Sequence, residues 1–374
     1  MRNGFTTGSC SAAAAKAAAY MLLSGKRKET ITIDTPAGVK YTPVLEEIRI
    51  LPERVSCAVR KDAGDDPDIT NGTLICAEVS LAEGDPGQVV ITGGRGVGRV
   101  TRPGLDQAVG NAAINSVPRQ MIEKEVREVM DLFDHEGALR VEISVPDGER
   151  LAEKTFNPRL GIEGGISIIG TTGIVEPMST RAILETIRVE LAQRKAMGDP
   201  VAVVSPGNYG LEFMRERYGY DLDRAVKCSN YIGDTVDMAA EAGFHRILIC
   251  GHAGKLVKVS GGIMNTHSRE ADCRMELMAA AAAKTGASAE MIRRVLDALT
   301  TEEVCGIWQE AGILGSCFSY LTGRIGYYLE KRAAGRLETA CIIYSNGYGA
   351  LGETPNAAAM IAEALSHIQE GGGR

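Results

Sequence analysis

An α/β protein of two domains is the architecture this sequence predicts. Residues 1–156 read as an α+β domain with a mixed or antiparallel sheet, and 157–374 as a Rossmann-like α/β domain whose parallel sheet carries helices on both faces. Three observations predict it. The chain has 374 residues, and domains of roughly 100 to 200 residues suggest two of them. From Thr30 to Thr92 short extended runs follow one another between Gly, Pro and Asp turns. Beyond Asn157 apolar runs alternate with helical stretches, the pattern of a sheet buried on both faces.

Composition excludes several classes. With 44% hydrophobic and 24% charged residues the chain is an ordinary globular protein. No run approaches the ~18 apolar residues of a membrane helix, and the first residues show no signal peptide, so no membrane partner and a cytoplasmic location are expected. Nine cysteines are scattered and never spaced Cys-x-x-Cys, which argues against a disulfide framework and a zinc site. Five histidines include no pair at metal-ligand spacing, so no protein-bound metal is expected. A net charge of -7 with one Trp and six Phe argues against nucleic acid. An anionic small molecule must then be held by local basic patches.

Taken in order, Gly4 to Ser11 offers the hydroxyls of Thr6, Thr7 and Ser9 where an alanine-rich helix begins. Orphan N–H groups plus hydroxyls attract a carboxylate or phosphate, and the alternative is a plain Ser or Thr cap. Cys10 has no His or Asp partner legible nearby. Extended runs follow at Thr30–Asp34, Val39–Ile50, Val55–Lys61, Leu74–Leu81 and Val89–Thr92. The acidic stretch Lys61 to Asp68 reads as a solvated turn, with calcium as the functional alternative and no EF-hand spacing to support it.

Gly93 to Gly104 then combines five glycines among the residues up to Gly98 and Gly104 with Arg95, Arg99 and Arg102. Joined by Arg119, these face a single carboxylate, Asp106. Arginine pairs with carboxylates in a bidentate fork, and the residues after the glycines do not open an apolar helix as a dinucleotide fingerprint requires. A polycarboxylate ligand explains them better. A helix over about 118–133 and a strand over 139–145 complete the first domain.

The second domain is expected to open on a strand at 166–169, the turn Gly170-Thr171-Thr172-Gly173, and a helix from about Met178 to Ala196. Further apolar runs at 201–204, 225–228, 246–250 and 340–344 alternate with helices at 234–243, 268–285, 288–299 and 356–369. Ligands on such sheets bind at the carboxyl ends of strands. Those ends carry Gly170–Gly173, Ser205 to Asn208, Ser229 to Asp234, Gly251 to Lys255 and Ser345 to Gly347.

Gly4–Ala18, Lys61–Asp68, Gly96–Leu105, Asn157–Ser179, Ser229–Gly233 and Gly251–Ser268 together resemble the cobalt-precorrin-5B carbon-1 methyltransferase family of the anaerobic cobalamin pathway. The resemblance spans nearly the whole chain, in order. It departs from the family pattern Gly-Glu-Pro-Ala-Ile-Asn-Pro-Val-Pro-Arg at Asn111, Ala112 and Ser116.

The resemblance implies methyl transfer from S-adenosylmethionine to carbon 1 of a cobalt-precorrin tetrapyrrole, with the cobalt arriving in the substrate. It also leaves room for transient contact with neighbouring pathway enzymes and for a homo-oligomer. A nucleotide-dependent phosphotransferase is the alternative enzyme, although no Gly-x-x-x-x-Gly-Lys-Ser/Thr loop occurs. A non-catalytic tetrapyrrole carrier is the third reading. On the methyltransferase reading the donor lies against Gly170, Thr171, Thr172 and Gly173, with Glu176 or Asp234 near its ribose or amino group. The substrate's carboxylates meet Arg95, Arg99, Arg102, Arg119, Thr6, Thr7, Ser9 and Lys255. His252 and His267 are the candidates to accept or relay a proton.

Overall fold

A computed structural model describes residues 1–177, 179–207, 211–221 and 224–371. Met178, where the helix after Pro177 is expected to open, and Asn208, in the loop after the 201–204 run, lie outside the described residues. Contacts divide the chain into Met1–Ser179 and Thr180–Arg374.

The first unit runs β1 (Gly4–Phe5), α1 (Thr7–Ser24), β2 (Ile33–Asp34), β3 (Lys40–Tyr41), β4 (Leu45–Leu51), β5 (Arg54–Arg60), β6 (Leu74–Ala82) and β7 (Val89–Gly93). It continues through β8 (Gly96–Val97), β9 (Arg99–Val100), α2 (Ser116–Leu132), β10 (Ala138–Ser144), α3 (Gly148–Ala152), β11 (Ile162–Glu163), β12 (Gly165–Ile166) and β13 (Ile174–Val175). Its main sheet has the order β4-β5-β6-β10-β7, antiparallel except where β7 lies parallel to β10. Alternate residues Val55, Cys57 and Val59, Ile75, Ala77 and Val79, and Leu139, Val141 and Ile143 share one buried core with α1 and α2. Alanine suits α1 twice: it has the best helix propensity, and its short side chain lets the fully buried Ala12–Ala15 and Ala17–Ala19 pack closely against the sheet and α2. The single extended run expected over Val39–Ile50 is broken into β3 and β4 around Pro43, which has no N–H to give a ladder.

The expected division at 156/157 falls instead after Ser179. Residues 157–179 pair with the first unit: β12 runs parallel to β8, β11 antiparallel to β9, and β13 antiparallel to β1. Ile166 and Ile168 bury in the same core as Ile114 and Ile143, so this apolar run belongs to small pairings of the first unit.

The second unit runs α4 (Thr180–Ala196), β14 (Ala202–Ser205), α5 (Leu211–Tyr218), β15 (Val226–Lys227), α6 (Ile232–Glu241), β16 (Arg246–His252) and α7 (Ala253–Val259). It ends with α8 (Arg274–Lys284), α9 (Ala289–Asp297), α10 (Thr301–Glu310), α11 (Leu314–Ala333), β17 (Glu338–Ser345), β18 (Gly349–Glu353) and α12 (Ala357–Gly371). Its sheet has the order β15-β14-β16-β17-β18, parallel except for the antiparallel edge strand β18. Both faces are buried, as the sequence predicts. Val204, Ile247, Ile249, Cys341 and Ile343 pack with α4 and α6 to α11. Val203, Leu248, Cys250, Ile342 and Tyr344 pack with Met214 of α5 and Met360, Ile361 and Ala364 of α12. The helix expected over 268–285 starts only at Arg274, and α5, α7, α10 and α11 are additions to the expected set.

Candidate functional site

In the first unit a cavity of about 360 Å³ opens beside the edge strand β7, lined by Arg99 and Arg119 together with Thr92, Gln107 and Asn111. Two of the arginines singled out in the sequence thus come together. Arg119 reaches the cavity from the first turns of α2. It donates from Nε to Ile114 O (2.8 Å) and from its two terminal nitrogens to Ile91 O (3.1 Å) and Ala112 O (3.5 Å). Among the described residues no carboxylate pairs with it; burial lowers its pKa, with Asp106 acting weakly the other way. Asp106 is engaged by the backbone N–H and hydroxyl of Ser116, both at 2.8 Å. A guanidinium held by carbonyls and short of counter-charge is a binding place for a carboxylate. Arg99 is exposed and donates to Gly110 O (3.0 Å). Arg95 is exposed on the same loop, whereas Arg102 donates to Arg159 O (3.2 Å) and packs over Gly161.

The N-terminus of α1 is already covered by its own chain. Thr6 caps it by accepting the Ser9 N–H (3.2 Å), Thr7 Oγ1 accepts the Ile169 N–H (2.9 Å), and Ser9 donates its hydroxyl to Gly173 O (2.7 Å). The Gly8 and Thr6 N–H groups donate to Ile169 O and Gly173 O. The anion site expected from Thr6, Thr7 and Ser9 is therefore filled by the Gly170–Gly173 turn. That turn, with Thr171 and Thr172, belongs to the first unit and is not a strand-to-helix connection of the parallel sheet. A Cβ on Gly170 would come within 2.4 Å of Thr6 Oγ1, and one on Gly173 within 2.8 Å of Ser9 Oγ, so both glycines serve close packing. Glu176 is exposed in the same unit. The acidic stretch is a turn whose carboxylates are engaged by groups within it and beside it, Arg2 among them. Asp68 accepts from buried Lys61 (2.5 Å) and from Thr70 N–H (2.7 Å), and Asp62 from Gly64 N–H (2.9 Å).

In the second unit the strand order turns at β14 and β16. From β14 the chain passes to α5 on one face, from β16 to α7 on the other. A crevice at the carboxyl ends of two strands whose connections part is where such sheets bind ligands. His252 ends β16 and caps α7, its Nδ1 accepting the Gly254 N–H (3.0 Å). Its Nε2 lies 3.2 Å from Glu302 Oε1 on α10. Glu302 Oε2 accepts from Ser345 Oγ (3.1 Å) at the end of β17, and Ser345 Oγ accepts from Tyr348 N–H (3.0 Å). Lys255 donates to Pro206 O (2.6 Å) and Ser229 O (3.2 Å), and burial lowers its pKa. Ser229 holds a left-handed backbone, φ 52, uncommon for a residue with a side chain.

These contacts fix the histidines. With Nδ1 accepting an N–H, neutral His252 carries its proton on Nε2 and donates it to Glu302. His267 is exposed, and its Nδ1 accepts the Arg269 N–H (3.0 Å) in the same way. Both imidazoles stand as donors in the resting protein, so the expected proton acceptor has no free lone pair at either residue. The segment carrying His267 lies against the β15–α6 turn through Thr266 N–H to Asn230 O and Gly233 N–H to Met264 O. Asp234 is half-buried in the first turn of α6, whose cap is Tyr231.

Glu302 escapes the sequence reading. The signal available was the capping box Thr300-Thr301-Glu302-Glu303, in which Thr300 accepts the Glu303 N–H (3.1 Å) and Glu303 the Leu299 N–H (2.9 Å). It marks the start of α10 but not what Glu302 faces. Among the described residues no helix is long and apolar enough to cross a membrane, and no group of three His, Cys, Asp or Glu side chains is placed to hold a metal ion.

Comparison with known proteins gives a consistent family. Residues 1–177 match the family model described as CbiD, and residues 265–355 the one described as CbiD, C-terminal domain. A curated relative from Ruminiclostridium cellulolyticum, named cobalt-precorrin-5B C(1)-methyltransferase, is 46% identical and covers 92% of this chain and 89% of its own. One of the same name from Alkaliphilus metalliredigens is 45% identical, covering 96% and 94%. The crystal structure of a cobalamin biosynthesis protein (cbiD) from Archaeoglobus fulgidus is 29% identical, with a TM-score of 0.38 over 72% of this chain and 83% of that one.

Proposed function

The chain belongs to the CbiD family, and from that premise we propose that it transfers a methyl group from S-adenosylmethionine to carbon 1 of cobalt-precorrin-5B, giving cobalt-precorrin-6A in anaerobic cobalamin biosynthesis. The observation that carries the reading is identity along nearly the whole chain: relatives of that name match it at 46% and 45% over 92% and 96% of its length. The sulfur–methyl bond breaks as the carbon–carbon bond forms, and S-adenosylhomocysteine leaves. Cobalt enters and departs as part of the tetrapyrrole. An in-line displacement of this kind gains most from alignment and from exclusion of water.

Arg119 and Arg99 take carboxylates of the tetrapyrrole in this reading, with Arg95 exposed on the same loop. The cavity supports it because its half-buried guanidinium has no carboxylate partner among the described residues. The donor takes the crevice at the ends of β14 and β16, with Asp234 on the adjoining α6 a candidate for the ribose hydroxyls. His252 orients Glu302, and His267 offers an N–H. Accepting a proton would require either ring to release the N–H that its Nδ1 now holds.

The test is turnover of cobalt-precorrin-5B with methyl-labelled S-adenosylmethionine, expected to yield labelled product and S-adenosylhomocysteine together. Tetrapyrrole binding without transfer would favour a carrier. Binding of ATP in place of the donor would favour a phosphotransferase.

A further inference from the structure

The crevice of the second unit carries opposite charges on its two sides. Lys255 Nζ lies at Pro206 O (2.6 Å) and Ser229 O (3.2 Å), carbonyls that follow β14 and β15. Glu302 lies between His252, which ends β16, and Ser345, which ends β17. The order β15-β14-β16-β17 therefore sets the ammonium over one strand pair and the carboxylate over the next. At ~4.8 Å between neighbouring strands, the two charges stand roughly 10 Å apart.

Each charge keeps capacity for a ligand. Lys255 forms no ion pair among the described residues, and two of its three donors are used. Glu302 meets His252 at the ring's Nε2, while the ring's Nδ1 accepts the Gly254 N–H. The carboxylate has two of about four acceptor sites filled. Beside it stands Gly347, where a Cβ would come within 3.1 Å of Glu302 Oε2, so the absence of a side chain there leaves the carboxylate approachable.

We propose that Lys255 and Glu302 clamp the zwitterionic α-amino-acid end of the methyl donor, its carboxylate on Lys255 and its α-ammonium on Glu302. This rests on the donor reading above and goes beyond it: Lys255 becomes a donor contact rather than a contact of the macrocycle, and His252 a positioning residue for Glu302. The chemistry selects this part of the donor. Adenine and ribose carry no charge, whereas an α-amino acid presents an anion and a cation on one carbon. Two charge-assisted hydrogen bonds of about 2.8 Å plus that short bridge span most of the distance between the two side chains.

Calorimetry with S-adenosylhomocysteine and its descarboxy and desamino analogues tests it. The wild type should prefer S-adenosylhomocysteine over each analogue by about tenfold or more, the worth of one charge-assisted bond. Lys255→Met should lose the preference over the descarboxy analogue and keep that over the desamino one. Glu302→Gln, which retains the shape needed by His252 and Ser345, should do the reverse, so each variant serves as the folding control of the other. Wild-type preferences persisting in both variants, or a wild type indifferent to the analogues, would overturn the clamp while the donor reading stands. A wild type with no affinity for S-adenosylhomocysteine would remove the donor reading itself, and the clamp with it.

Discussion

Replacing Arg119 by alanine separates a substrate-binding arginine from one that only braces a loop. The guanidinium is half-buried, its pKa is lowered by burial, and its partners are Ile114 O, Ile91 O and Ala112 O. A carboxylate entering the cavity would meet a charge-assisted donor in a partly enclosed place, where such a bond contributes ~1.5–3 kcal/mol. At about 1.4 kcal/mol per decade, Arg119→Ala should raise the KM for the tetrapyrrole roughly 10- to 150-fold. Exposed Arg99 should contribute no more than about 1 kcal/mol, a fivefold effect at most. Both losses should shrink as salt is added. Arg119→Ala also frees three carbonyls, which the open cavity lets water reach, so a small fall in Tm is expected alongside. Arg119→Lys should recover the charge without the planar fork, and so restore KM only in part. The assay is steady-state KM for the tetrapyrrole beside the calorimetric Kd for S-adenosylhomocysteine. A donor Kd that rises in step with the substrate KM, or a larger effect from Arg99→Ala than from Arg119→Ala, would refute the assignment.

Three further outcomes follow from the packing. Gly173→Ala forces a side chain at φ 78 to within 2.8 Å of Ser9 Oγ and Thr35 Cβ, so it should destabilise by about 1–3 kcal/mol in a thermal melt while donor Kd stays at the wild-type value; loss of donor binding at unchanged Tm would return the turn to the donor site. Asp68→Asn leaves Lys61, 2% exposed, without its counter-ion and should cost about 3–5 kcal/mol by urea unfolding. Burial pushes the Asp68 pKa up, but the Lys61 ammonium and the Thr70 hydrogen bonds outweigh it and hold the pKa below the usual range. The stabilisation is therefore complete above an ordinary carboxylate pKa of about 4 and is lost as pH falls through the depressed folded value. The wild type's urea midpoint should drop over that acid range more steeply than the variant's. Burial raises the thiol pKa of Cys10 to about 11 and of Cys57 and Cys228 to about 12, whereas Cys273 is exposed. Alkylation of the native protein should label Cys273 first, and fast labelling of Cys10 would reopen its candidacy as a nucleophile.

The parallel sheet of the second unit was legible because its strands are buried on both faces and so read as continuous apolar runs at 201–204, 246–250 and 340–344. The Gly170–Gly173 turn was misplaced for a complementary reason. An apolar run, a glycine turn and a helix look alike whether the run joins that sheet or pairs elsewhere, and the choice is made by distant partners: Val97 against Ile166, Ile114 against Ile168, Gly4 and Phe5 against 174–175. The hydroxyls of Thr6, Thr7 and Ser9 stand at a helix start, where the sequence suggests an anion, and bond to the protein's own chain instead. What one segment cannot disclose is that the partner is a turn about 160 residues on.

The arginine cavity and the charged crevice differ in the same respect. Arg99 and Arg119 are near enough in sequence, with α2 alone starting between them, for their joint excess over Asp106 to be visible as composition. His252 and Glu302 are separated by α7, α8 and α9, and the two meet only because α10 begins against the ends of β16 and β17. A carboxylate in the first turn of a helix is ordinarily explained by the helix dipole, so nothing local distinguishes Glu302 from its neighbour Glu303, which does serve the cap. The difference lies in direction. Glu303 turns back to the Leu299 N–H, while Glu302 reaches across to strand ends whose own N–H and O–H donors fill half its acceptor sites. It is this reach to the carboxyl ends of β16 and β17, beside the ends of β14 and β15 whose following carbonyls hold Lys255, that the proposed clamp relies on.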